Sequence, residues 1–382
     1  MNHPIYLDYA AATPIDSRVV AVMKPFAESL FYNPSATYLK ALEVRHALEQ
    51  ARSTVALQLG SRASEIIFTA GGTEANNLAI HGVMRMFSGA NIVFSAIEHE
   101  AVLAPAGEYQ SHVVQPNKDG LVESSVVEAA IDDDTVLISI MYANNEVGTI
   151  QPIREIGQLV HKIRRDRQTR GIATPLYFHT DACQAANYLD LKVARLGVDL
   201  MTLNGGKIYG PKQSGLLYVR GGLQLRPIIS GGGQERGLRS GTENVAQAIG
   251  IAHALEITQI ARHDESARAT VMQQQFMKLL SVHVPQAIIN GSLKHRLPNN
   301  IHITIPGVDN ERLLIQLDEV GIMAAAGSAC SASNDEPSHV LRAMGISDQL
   351  AQSSVRFTLG RSTTHDEVSR VVTELARLVN VS

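Results

Sequence analysis

Two spacings of apolar residues alternate along the first two-thirds of the chain. Tyr38, Ala41, Leu42, Leu48, Ala51, Val55 and Leu59 recur at helical intervals and stop at Gly60, which predicts a helix with one apolar face. Short continuous apolar runs follow at 65–68, 91–94, 136–141, 175–178, 200–203 and 215–219. Runs of that length without alternation read as strands buried on both faces, and helical stretches such as 74–86 stand between them. The pattern predicts an α/β fold whose mainly parallel sheet is covered on both sides. A long helix over about 249–280 comes next. Beyond it the texture changes. Residues 299–305 alternate polar and apolar as a half-exposed strand does, a helix follows around 311–319, then a strand at 354–358 and a last helix from His365. That change predicts a large domain over 16–255 and a smaller α/β domain built from 1–15 with 256–382.

One run fits neither spacing. Residues 324–333 read A-A-A-G-S-A-C-S-A-S, with Cys330, one of only two cysteines in 382 residues, inside it. Neighbours so small cannot pack on a structural thiol, so the stretch reads as a mobile loop, where chemistry tends to sit. The plainer alternative is a small hydrophobe in a turn. Composition sets the surroundings: 45% hydrophobic, 18% charged and a net charge of −4 describe a soluble globular protein with no basic excess for nucleic acid or an anionic membrane. The N-terminus lacks the basic-then-apolar order of a signal peptide, and no apolar run is long enough to cross a bilayer. Two cysteines support neither a disulfide framework nor a paired metal site. The expectation is a cytoplasmic protein with reduced thiols and no metal.

Ligands of open α/β sheets bind beyond the carboxyl ends of the strands. After the first strand come Gly71, Gly72 and Thr73 ahead of a helix, offering backbone N–H groups and a hydroxyl to an anion. His99 follows the second strand, Asn144, Asn145 and Glu146 the third, and Asp181, Cys183 and Gln184 the fourth. After the fifth stand Asn204, Gly205, Gly206 and Lys207. Singly these have ordinary readings, a tight turn for the glycines or a surface lysine for Lys207. Together they suit one cofactor. A lysine that forms an imine escapes the cost of a desolvated ammonium, and pyridoxal phosphate wants that lysine and a carboxylate on its ring nitrogen. Asp181 would protonate the ring nitrogen, Gly71, Gly72 and Thr73 would hold the phosphate, and His99 would lie on the ring face.

Several motifs then occur in order: Y-L-D-Y-A-A-A-T at 6–13, N-P-S at 33–35, F-T-A-G-G-T-E at 68–74, N-N-E-V-G at 144–148 and K-I-Y-G-P-K at 207–212. E-R-G-L-R-S-G-T at 235–242, G-S-A-C at 327–330, E-P-S-H-V-L-R at 336–342 and R-F-T-L-G-R at 356–361 complete the series. With these the chain resembles, nearly end to end, the cysteine desulfurases of the NifS/IscS-type group, class-V aminotransferase-like enzymes of pyridoxal phosphate fold type I. The resemblance implies conversion of L-cysteine to L-alanine, with a persulfide left on Cys330 for a sulfur-acceptor protein. That acceptor would be a scaffold or thiolation enzyme, as in iron–sulfur cluster assembly or tRNA thiolation. It further implies Lys207 as the covalent anchor of the cofactor and proton carrier, Asp181 on the ring nitrogen and Gln184 near the ring hydroxyl. His99 would stack on the ring as an acid/base. Thr73 with Gly72 would bind the phosphate, and Asn145 and Arg356 the substrate carboxylate. Thr242 would reach the phosphate of a neighbouring subunit, which implies a homodimer.

The chain also departs from its relatives. Where they usually carry Ser and His, both helping to hold the phosphate, this sequence has Asn204 and Gly206, which predicts weaker cofactor binding or an altered pocket. Cys183 is expected to be a buried, inert thiol. His339 and Arg342, in a following helix, are expected to be structural. Gln213, where relatives often have glycine or alanine, has no interpretation from sequence. Alternatives to the desulfurase are a selenocysteine lyase, a lyase for another cysteine derivative, or a catalytically weakened cofactor-binding partner protein.

Overall fold

In the computed structural model, which describes residues 3–327 and 337–380, the apolar runs do become strands. In chain order these are β1 (Ile5–Tyr6), β2 (Ile66–Thr69), β3 (Asn91–Ser95), β4 (Gln110–Val114), β5 (Thr135–Ser139) and β6 (Tyr177–Asp181). They continue with β7 (Leu200–Asn204), β8 (Gly215–Val219), β9 (Ile288–Ile289), β10 (Asn300–Thr304), β11 (Ile322–Met323) and β12 (Ser354–Thr358). A seven-stranded sheet runs β2-β8-β7-β6-β5-β3-β4. Its neighbours from β7 to β4 are parallel, and only β8 is reversed, antiparallel to both β2 and β7. The α/β class with a mainly parallel sheet is therefore as expected. Apolar side chains from the two faces enter separate clusters, one around Phe178 and Met201, the other around Leu137 and Leu200, so a continuously apolar strand is what this sheet requires.

From β3 the chain crosses to β4 at the sheet edge, and then returns on the other side of β3 to form β5. Strand order thus reverses between β3 and β5, and a crevice opens beyond their carboxyl ends. His99 and Asn145 follow those two strands. Where the edge of the sheet lies, the sequence had offered no signal: β4 is exposed at Gln110, Ser111 and His112, so it lacks the apolar run that marks its neighbours.

The helix expected to stop at Gly60 spans Leu39–Leu59, and Gly60 closes it in the left-handed conformation at φ 66°. The long helix covers Val245–His283. Its first half packs in the core of the large sheet through Ile251 and Leu255. Its second half enters a different core, through Met272, Phe276 and Leu280, shared with Ile5, Leu7, Ile303, Phe357 and Val372. β10 corrects an expectation. Every residue of it is buried, because it lies at the centre of the sheet β12-β10-β9. Its polar side chains are paired instead of hydrated: Thr304 Oγ1 lies 2.6 Å from Ser354 Oγ and His302 Nδ1 2.9 Å from Asn290 Nδ2. Gln213 finds its explanation here as well. It sits at φ 58°, in the left-handed region that favours glycine, which accounts for a glycine at this position but not for the alanine also expected there.

Candidate active site

At the end of β2 the chain turns into the helix Gly72–Met84. The first amides of a helix meet no carbonyl of their own helix and so face outward as donors. Gly215, at the start of β8, is needed for this turn: a Cβ there would fall 2.4 Å from the carbonyl carbon of Gly71. Gly72, Thr73 and Asn76 line a cleft that also receives His99, Asn145, Asp181, Gln184, Asn204, Lys207 and Arg356. All the strand-end groups singled out in the sequence for the cofactor, apart from Gly71, converge there.

Asp181 ends β6 and is nearly buried. Its Oδ2 accepts from Asn76 Nδ2 at 2.7 Å and its Oδ1 from the Cys183 amide at 2.9 Å. Both donors are neutral, so the carboxylate meets no cation in either bond. Lys207 follows β7 on a single helical turn. Its Nζ donates to the carbonyls of Ala10 and Ala11 at 2.9 and 2.6 Å, and Asn187 Nδ2 donates to its own carbonyl at 2.7 Å. Gln184 Nε2 also donates to Ala10 O, at 3.0 Å. The Y-L-D-Y-A-A-A-T run therefore forms part of the wall.

His99 caps the helix Glu100–Gly107, and its Nδ1 accepts the Ala101 amide at 3.0 Å. A neutral ring bound this way carries its proton on Nε2. The preceding residue, Glu98, is fully buried, and burial holds its carboxyl well above the usual range. Burial also pushes His179, behind Asp181 on the same strand, down to about 4, so it adds no positive charge. The Cys183 thiol is pushed well up by burial and next by the Asp181 carboxylate. A thiol kept protonated in this way is a poor nucleophile, although Cys183 is half-buried and lines the cleft, where a buried thiol was expected.

Arg356 on β12 is 1% exposed. One guanidinium nitrogen donates to Asn145 O at 2.9 Å and the other to Asp8 Oδ1 at 2.6 Å, while Nε has no partner among the described residues. A carboxylate entering from the cleft would meet a cation already oriented by Asp8. Sequence reasoning passed over Asp8, whose pairing spans 348 positions and leaves no local signal. Asn76 was legible in principle. It sits one helical turn from Thr73, on the same face.

The two departures fall side by side. Asn204 Oδ1 accepts the Gly206 amide at 2.9 Å, which leaves its Nδ2 toward the turn at Gly72, 3.4 Å from where a Cβ on Gly72 would lie. A Cβ on Gly206 would touch nothing closer than Asn204 Oδ1, at 3.4 Å. A Cβ at 206 is therefore in ordinary van der Waals contact. Thr242 is exposed and outside the cleft of its own chain. Its segment is tied back to the phosphate turn, Arg239 Nε donating to Glu74 Oε1 at 2.9 Å while Ala70 N donates to Glu74 Oε2 at 2.9 Å. Arg342 pairs with Asp348 and His339 Nε2 donates to Glu98 O at 3.0 Å. Cys330 lies outside the described residues.

The donor set fits pyridoxal phosphate. A buried carboxylate held by two neutral donors suits a protonated ring nitrogen, the amine of Lys207 an aldehyde, and the opening of the helix Gly72–Met84 a phosphate. The sequence also matches the aminotransferase class-V family over residues 5–371. A protein from Dictyoglomus turgidum named cysteine desulfurase IscS is 40% identical over 386 residues, covering 99% of this chain and 95% of that protein. One of the same name from Methanosarcina thermophila is 39% identical, covering 99% and 92%. Among solved structures, a NifS-like protein superposes with a TM-score of 0.89 at 32% identity, covering 99% of this chain and all of that one. Another, described as SspA in complex with cysteine, gives 0.80 at 35% identity, covering 93% and 98%.

Proposed function

The chain belongs to the class-V aminotransferase family, and from that premise we propose a reading of its cleft. It is a pyridoxal-phosphate-dependent cysteine desulfurase that converts L-cysteine to L-alanine. When bound, the cofactor supplies an electron sink that loosens the α-proton of the substrate and then its bond to sulfur. Lys207, Asp181, Gln184, Thr73, Gly72 and Asn204 would hold it, with His99 against the ring. Arg356, oriented by Asp8, and Asn145 would grip the substrate carboxylate. Lys207 Nζ would carry the proton at the α-carbon, and His99, protonated on Nε2, would act as acid. Cys330, as thiolate, would attack the substrate sulfur. The sulfur–sulfur bond forms as the carbon–sulfur bond breaks, the electron pair stays with carbon, and a proton completes alanine.

The convergence of Lys207, Asp181, His99 and Arg356 on one cleft carries this reading. Purified protein with pyridoxal phosphate, L-cysteine and a thiol reductant should release alanine and sulfide in equal amounts; absence of alanine would refute it. A homodimer is part of the proposal, supported by the exposure of Thr242 outside its own cleft and of Phe31 and Leu39. Division into 16–255 and the remainder is likewise proposed, supported by the two cores along the long helix. Delivery of the persulfide sulfur to an acceptor protein, and a cytoplasmic setting, complete it. No described helix is long and apolar enough to cross a membrane.

Gly206 supplies a prediction. Since a Cβ is accommodated there without a clash, Gly206→His should add a donor near the phosphate and tighten cofactor binding by roughly tenfold, the worth of one hydrogen bond to a charged group. Titration of pyridoxal phosphate into the apoprotein measures it, and an unchanged affinity would show that Gly206 does not weaken the pocket.

A further inference from the structure

Glu146 is fully buried, yet no step above uses it. Its backbone is fixed from several sides. Asn144 Oδ1 accepts the amides of Glu146 and Val147, both at 2.9 Å, and Asn300 Nδ2 donates to Glu146 O at 2.8 Å. That turn aims the carboxylate at two chain segments far from it in sequence. Ser338 Oγ donates to Oε2 at 2.5 Å. On the other side Gly327 comes so near that a Cβ would lie 3.1 Å from the same Oε2. Oε1 has no partner among the described residues.

Gly327 and Ser338 bracket the segment that contains Cys330. Each end has a second attachment to the cleft wall. Ala325 N donates to Arg356 O at 3.2 Å, and His339 Nε2 donates to Glu98 O at 3.0 Å, next to His99. Those contacts hold one end each, whereas Glu146 meets both. We propose that Glu146 is a positioning residue for sulfur transfer: its carboxylate holds Ser338 by a hydrogen bond and packs against Gly327, and so sets the two points between which the Cys330 segment runs. The role rests on the desulfurase reading. It concerns delivery of the thiol, not the proton chemistry at the α-carbon, and that separation makes it testable. Misplacing a reacting group by about 1 Å costs up to roughly a hundredfold.

In the holoenzyme, Glu146→Ala and Ser338→Ala should each slow single-turnover persulfide formation from L-cysteine by about ten- to a hundredfold. Exchange of the α-proton of L-alanine with D2O, which needs no thiol, should stay within about twofold. Ser338→Ala also removes the oxygen that accepts the Leu341 amide at 3.2 Å, so the double variant is the control: it should be little slower than the slower single one, since both changes open the same Glu146–Ser338 bond. Glu146→Gln keeps an acceptor for Ser338 Oγ and should remain within about threefold of the wild type. Exchange falling in step with persulfide formation would overturn that role. So would unchanged persulfide formation in Ser338→Ala, which decides the matter should Glu146→Ala fail to fold, or a Gln variant as slow as the Ala variant. Alanine formation by the wild type tests the desulfurase reading by itself.

Discussion

Lys207→Ala is expected to lower alanine formation from L-cysteine at least about a thousandfold, because a positioned proton carrier alone is worth roughly 10²–10⁴. The cost to the fold is smaller. Ala11 O loses the donor it has at 2.6 Å, while Ala10 O keeps Gln184 Nε2 at 3.0 Å. One unsatisfied carbonyl costs about 1–3 kcal/mol, against the roughly 4 kcal/mol that a thousandfold loss of rate represents. The variant should therefore fold and bind substrate while failing in chemistry. Lys207→Arg separates charge from amine: a guanidinium keeps the charge and can still donate to those carbonyls, but it forms no imine. It should be as slow as the alanine variant when alanine is quantified. Recovery above about a hundredth of the wild-type rate, within the range a proton carrier alone supplies, would show that charge suffices.

What the sequence disclosed follows from how each feature is encoded. Most buried strands of the large sheet were legible because they carry apolar runs, and the helix Leu39–Leu59 because a glycine stops it; β6 was only half legible, since it continues through buried His179, Thr180 and Asp181. β4 was not, since an edge strand needs no apolar face. β10 misled, because its polar residues are satisfied by Asn290, Ser354 and Glu146 and an alternating pattern cannot tell such pairing from water. The site was legible to the extent that its residues sit just past strand ends. What escaped were side chains that act through others. Asp8 orients Arg356 from the far end of the chain, and Asn76 holds Asp181. Glu146 lay within a motif of its relatives, but its purpose depends on Gly327 and Ser338 arriving from nearly two hundred positions away. Arg356 tolerates near-complete burial for a related reason. His302 opposite it is pushed down to about 3 by burial, with the nearby arginines adding to the shift. The strand pair thus holds one cation, which Asp8 balances.

Asp181→Asn tests the electrostatic half of the site. A carboxylate and a cationic ring nitrogen with charge centres about 4 Å apart attract by about 4 kcal/mol at an effective dielectric constant near 20. Losing that attraction where the chemistry needs it amounts to roughly a thousandfold in kcat. An amide at 181 would face two donors, the Cys183 N–H and Asn76 Nδ2, and it can accept from only one of them. The structure offers a remedy: Asn76 Oδ1 is buried without a partner among the described residues, so turning that amide over lets Asn76 accept from the new side chain. The fold should survive nearly intact. A second readout has its sign fixed beforehand. The Asp181 charge helps to push the Cys183 thiol up, after burial itself, so removing that charge should lower the thiol pKa. Alkylation of Cys183 in the apoprotein, followed by peptide mapping at constant pH, should then become faster, since the thiolate is the reacting form. Faster alkylation with kcat still within tenfold of the wild type would mean that the charge is felt in the pocket but does not serve the ring nitrogen.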